Sequence, residues 1–132
     1  MDQQEVREYL SNKPFTVETF PYGDDISVFK VKHKMFATLA VDNMTKGEDE
    51  SADNENSPWR VNLKCDPQEA IMLRNKFQSV IPGYHMSKVH WNTIKLDGSV
   101  PKGEILRMID NSFNLVVNNM IAEDQQAILD LL

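Results

Sequence analysis

Trp59-Arg60-Val61-Asn62-Leu63-Lys64-Cys65-Asp66-Pro67-Gln68-Glu69 is the stretch that decides the fold class. Its first half alternates strictly, with Trp59, Val61 and Leu63 on one side and Arg60, Asn62 and Lys64 on the other. That is the period-two signature of a strand buried on one face. The pattern then breaks: Asp66 can cap a helix, Pro67 suits the first helical position, and Glu69 is placed to reach back to the cap. A two-faced strand running straight into a helix predicts an antiparallel sheet with helices layered on one face and solvent on the other.

Upstream, residues 27–31 and 35–41 are β-branched and apolar and read as two strands joined by the tight hairpin turn Lys32-His33-Lys34. The turn lacks glycine, so His33 must accept a backbone conformation that histidine tolerates better than most residues. Residues 2–13 carry Val6, Tyr9 and Leu10 at helical spacing and stop at Pro14. Phe20-Pro21-Tyr22-Gly23-Asp24-Asp25 reads as a loop.

Downstream, the helix opened by Asp66 runs toward Phe77 and ends before Pro82-Gly83. Residues 84–96 are expected to be extended and closed by an Asp97-Gly98 turn. The strongest helix spans 101–119, where Ile105, Met108, Ile109, Ser112, Phe113, Val116 and Met120 form one stripe. A last amphipathic stretch uses Ile121, Ile128, Leu131 and Leu132. The sum is an α+β, two-layer domain: an antiparallel β-sheet with helices packed on one face.

A chain of 132 residues fits one domain, residues 1–132, because half that length would bury too small a core. Its 41% apolar and 26% charged residues are those of an ordinary globular protein. No apolar run approaches the roughly 18 residues a membrane helix needs, and no membrane partner is expected. The start of the chain is acidic and polar, unlike a secretory signal, so a cytoplasmic location is expected. Cys65 stands alone, which excludes an internal disulfide, and its place before the acidic Asp66 favours a buried structural thiol. Between Asp42 and Glu55 lie six carboxylates and little apolar surface, so residues of about 43–57 are expected to form a flexible acidic loop.

The net charge of −6 opposes indiscriminate binding to nucleic acid, yet eleven of the fourteen basic residues lie between Lys30 and Lys102. Strand parity places Lys30, Phe36, Thr38, Arg60, Asn62, Lys64, Trp91, Thr93 and Lys95 on the helix-free face. It turns Phe29, Val31, Met35, Leu39, Val61, Leu63, Ile94 and Leu96 toward the helices. Such a face offers cations for phosphates and rings for bases. His85, His90, Asp97 and Cys65 lack the convergent spacing of a metal or acid–base site, and His90 shares parity with Ile94, which favours partial burial. No nucleophile elbow or phosphate-cradling glycine loop occurs. The expectation is a non-enzymatic, monomeric binding module without metal or cofactor.

One block is more distinctive: Pro82-Gly83-Tyr84-His85-Met86-Ser87-Lys88 with His90-Trp91-Asn92-Thr93 and Leu96-Asp97-Gly98. Together with Phe20-Pro21-Tyr22-Gly23, Val28-Phe29-Lys30-Val31, Lys34-Met35-Phe36-Ala37 and Leu63-Lys64-Cys65-Asp66-Pro67, it resembles the MmcQ/YjbR family over nearly the whole chain. The resemblance implies a two-layer fold similar to secretion-chaperone and CyaY-like domains. It also implies DNA binding through a double-wing arrangement of β-hairpins, with no catalytic residues. Carried onto this chain, the contact positions are Lys30, Lys64, His85, Lys88, Trp91 and Lys95, and strand parity adds Arg60. Two departures stand out: Lys32-His33-Lys34 replaces the usual glycine-containing turn, and the acidic insertion precedes Trp59. The acidic balance and chaperone-like architecture leave a protein-binding adaptor as the alternative, with a small-molecule binder third.

Overall fold

The computed structural model describes residues 1–41, 59–84 and 86–131, so the expected acidic loop, His85 and Leu132 lie outside the described residues. Six strands form one antiparallel sheet: β1 (Thr16–Thr19), β2 (Ile26–Val31), β3 (Lys34–Val41), β4 (Trp59–Lys64), β5 (Val80–Pro82) and β6 (Trp91–Lys95). Their spatial order is β1-β2-β3-β4-β6-β5. The helices are α1 (Gln3–Ser11), α2 (Pro67–Lys76), α3 (Lys102–Asn118) and α4 (Ala122–Leu129). The α+β reading therefore holds.

Local chemistry sets these boundaries. Asp2 caps α1 in a reciprocal box with Glu5. Asp66 caps α2, its carboxylate accepting from the N–H groups of Gln68 and Glu69, with Pro67 opening the helix. Glu69 does not reach back to the cap; its carboxylate accepts from Arg107 of α3 at 2.6 Å. The Lys32-His33 turn bends left-handed at both residues, with φ of 47° and 72°, the conformation a two-residue hairpin loop requires.

One core lies between the sheet and the helices. Val6 and Leu10 of α1, Ala70 and Leu73 of α2, and Ile105, Met108, Ile109, Phe113 and Val116 of α3 meet Phe29, Val31, Leu39, Val61, Leu63 and Ile94. From α4 only Ile128 is buried, while Ile121 and Leu131 remain exposed, contrary to the amphipathic reading of the last stretch.

The structure corrects strand parity at one point. The β2–β3 ladder pairs Phe29 with Ala37 and then Lys30 with Met35, so Phe36 is an extra residue in β3. The bulge turns Phe36 into the core, where its ring meets Phe113 edge-on at 5.4 Å, and moves Met35 beside Lys30. Ser112 of α3 fills the gap in the ladder. Its hydroxyl donates to the Phe36 carbonyl at 2.5 Å and accepts the Lys64 N–H at 2.9 Å.

Two further readings change. The short edge strands β1 and β5 were not expected, and residues 84 and 86–90 form no strand where a continuation of β6 was expected.

Candidate functional site

Register places the expected site residues. Lys64 pairs with Trp91, Asn62 with Thr93, and Arg60 with Lys95, so all six share the helix-free face. Lys30 joins them on β2. This face is less open than alternation suggested: Trp91 is 9% exposed, Arg60 6%, and Thr38, Asn62 and Thr93 are also buried. Lys30, Lys64 and Lys95 are half-buried. Trp91 therefore cannot serve as an open stacking surface, and Arg60 is not a solvated cation.

Tyr84 explains part of the cover. Its N–H donates to the Thr93 hydroxyl at 2.9 Å, and the Thr93 hydroxyl donates to Asn62 Oδ1. The chain is thereby drawn back over the sheet, and the Tyr84 ring lies 5.0 Å from the Arg60 guanidinium. Gly83 makes the fold-back sterically feasible. A Cβ there would stand 2.8 Å from Trp91 Cβ and 3.0 Å from the Trp91 carbonyl oxygen.

The same registers divide the residues between two ends of the sheet. The β2–β3 turn, the C-terminal Lys64 of β4 and the β5–β6 connection at 83–90 all lie at one end. Arg60 and Lys95 lie about 13 Å away, four residues along extended strands. Lys95 there lines a cleft of about 410 Å³ with Lys76, Ser79, Asp97 and Ser99. The six expected positions among the described residues are therefore not one cluster.

What the structure does bring together is a cationic rim. Lys30, Lys32, His33 and Lys34 stand on one hairpin, Lys88 and His90 on the second, and Lys64 on the strand between them. Three strand spacings separate the hairpins, about 14 Å. Lys32 is held by the Phe15 ring, its ammonium 4.1 Å from the centroid. His33, Lys34, Lys88 and His90 are exposed, so the partial burial expected of His90 is not found. Lys32 and Lys34 were passed over as mere turn residues; for Lys32 the signal was available, since a two-residue turn must project its side chains beyond the sheet, whereas Lys34 is the first residue of β3.

The comparisons with known proteins follow this architecture. The YjbR family model matches residues 11–115. The chain belongs to the YjbR family. It is 30% identical over 131 residues to the uncharacterised protein YjbR of Escherichia coli, covering 99% of this chain and all of that one. The uncharacterised Escherichia coli protein YbdF is 29% identical over 132 residues, covering 97% and 98% of the two chains. Among solved structures, a Deinococcus radiodurans protein with the domain DUF419 superposes with a TM-score of 0.79 at 31% identity, covering 96% of this chain and 87% of that one. A Pseudomonas syringae protein superposes with a TM-score of 0.71 at 29% identity, covering 87% and 98%.

In this YjbR member the one cysteine sits in the core. Cys65 is buried, and burial first, then the nearby Glu69 and Asp66, push its thiol up to about 11, far from a reactive thiolate. Among the described residues no three His, Cys, Asp or Glu side chains converge to hold a metal ion. No described helix is long and apolar enough to cross a membrane.

Proposed function

We propose that this protein binds nucleic acid through the cationic rim, gripping the phosphate backbone with two hairpins rather than with the flat of the sheet. The observation that carries this reading is the placement of two hairpin loops at one end of the sheet, with Lys64 between them. Lys30, Lys32 and Lys34 supply one contact group and Lys88 the other. A lysine is a mobile point charge, so such a rim suits phosphates and carries no code for bases.

A chain of net charge −6 approaches a polyanion only in one orientation, with the rim leading. Affinity should accordingly be modest. If about four phosphates are neutralised, log K should fall against log salt with a slope near −3.6.

The test is a fluorescence-anisotropy titration of labelled duplex DNA across a salt series. The triple variant Lys32→Glu, Lys34→Glu, Lys88→Glu should lose binding, while Lys76→Glu, at the far end, should leave the slope unchanged. Absence of binding by the wild-type protein at about 20 mM salt would overturn the proposal and favour the protein-binding alternative. Equal binding by the triple variant would overturn the assignment of the rim.

A further inference from the structure

The sheet has two edges, and they are treated differently. At β5 the edge is three residues long and ends in Pro82, which has no N–H to offer a new strand. At β1 the edge reads Thr16-Val17-Glu18-Thr19 and contains neither proline nor lysine. Around it cluster exposed apolar side chains: Phe15 at 42%, Val17 at 59%, Phe20 at 49% and Tyr22 at 73% exposure. We infer that β1 is a self-pairing edge, and that a second copy of this chain adds its own β1 antiparallel to it about a two-fold axis through Val17.

The register follows from hydrogen-bond parity. The Phe15 carbonyl, just before β1, accepts from the Lys32 N–H just past β2, so in the ladder that follows Val17 and Thr19 direct their backbone groups inward. Thr16 and Glu18 direct theirs outward, where among the described residues no backbone group meets them. A two-fold axis through Val17 pairs Thr16 with Glu18 of the second copy twice, satisfying all of these outward groups. An axis through Glu18 would set the two Glu18 carboxylates directly opposite each other, which is unfavourable. An axis through Thr16 would carry Glu18 past the end of the partner strand, because Phe15 turns left-handed with a φ of 55° and the strand begins only at Thr16.

Charge supports the first register. Each Glu18 is neutralised within its own chain by Arg7 of α1, with which it forms an ion pair, and it would face the uncharged Thr16 of its partner. The exposed parts of the four side chains amount to at most about 400 Å² per copy, since aromatic residues bury roughly 150–250 Å² each when fully covered. About 800 Å² for the pair lies below the usual range of stable dimers. The association is therefore weak and concentration-dependent.

Sedimentation equilibrium from micromolar to millimolar protein tests it. The wild-type mass should rise toward twice the monomer value, and Val17→Lys should remain monomeric with an unchanged melting temperature, because position 17 is exposed. A second measurement fixes the register: in a non-hydrogen-bonded pair the Cα atoms lie about 4.5 Å apart, within disulfide reach. Val17→Cys should cross-link on mild oxidation, and Asn114→Cys on the exposed side of α3 should not. A wild-type protein monomeric throughout, a Val17→Lys variant that still dimerises, or cross-linking no better at 17 than at 114 would each overturn the inference. None of these results depends on the DNA titration, whose variants lie on other elements.

Discussion

Arg74 of α2 and Asn92 of β6 are joined by a hydrogen bond from Arg74 Nε to Asn92 Oδ1 at 2.7 Å, and that joint fixes the second hairpin. The same guanidinium donates through Nη2 to the Lys88 carbonyl and, at 3.3 Å, to the Trp91 carbonyl. Asn92 in turn donates to the Ala70 carbonyl at 3.3 Å. One side chain therefore clamps the base of the 83–90 connection to a helix. Arg74→Ala takes the donor from the buried Asn92 carboxamide oxygen and from the Lys88 carbonyl, while the Trp91 carbonyl keeps its bond from the Gly83 N–H, and should cost about 2–3 kcal/mol in urea unfolding. Amide exchange should accelerate at residues 86–91 well before it does in α3; uniform acceleration would refute the clamp.

Ser112 supports the bulge in β3 through its hydroxyl, which bonds the Phe36 carbonyl and the Lys64 N–H at once. Ser112→Ala strands the Phe36 carbonyl and the Lys64 N–H in the core, and should destabilise by about 2 kcal/mol. A loss below about 0.5 kcal/mol in chemical denaturation would mean that the ladder closes without the hydroxyl.

His33→Gly should stabilise the protein by about 0.5–1 kcal/mol, because glycine adopts the observed φ of 72° without steric cost. Thermal unfolding measures it. Lys32 and Lys34 remain in this variant, so DNA affinity at low salt should be nearly unchanged.

Asp97 makes acid stability sensitive to a small network. Its partial burial opposes the charged form, but hydrogen bonds from the Ser79 and Ser99 hydroxyls and the Ser99 N–H outweigh that and hold its carboxyl below the usual range. Lys76 and Lys95 line the same cleft. A depressed folded-state value means that the contribution is present above the unfolded value of about 3.9 and is lost as pH falls through the folded one. Ser79→Ala should raise the Asp97 titration midpoint, followed by carboxyl NMR shifts. An unmoved midpoint would show that the serine does not hold the charge.

The sequence was most legible where one physical cause dominated. Trp59 to Lys64 had only two environments to choose between, and Asp66-Pro67 had one reason to stand together, so strand, cap and helix all follow. The stripe from Ile105 to Val116 is equally plain, being long enough for its period to be unmistakable. β1 was invisible because a four-residue edge strand with Val17 outward shows no buried alternation. Phe36 misled for a different reason: its environment is set by Ser112, seventy-six positions later, and no local pattern records that. Residues 84–90 look extended by composition, but Thr93 holds Tyr84 and Arg74 holds Lys88 from outside the segment. The basic residues were visible as a group; their division between two ends of the sheet depended on antiparallel register, which only pairing reveals.

The serine under the bulge also has a bearing on how this chain can change. Closing the bulge with Phe36 kept as a paired residue would straighten β3, yet it would exchange the inside and outside of everything between that point and the turn, sending Met35 inward and Lys34 to the opposite side. The hairpin's charges are thus indexed to a helix more than seventy residues away. Loss of the bulge with the strand's length unchanged would turn the whole basic tip out of alignment with Lys64.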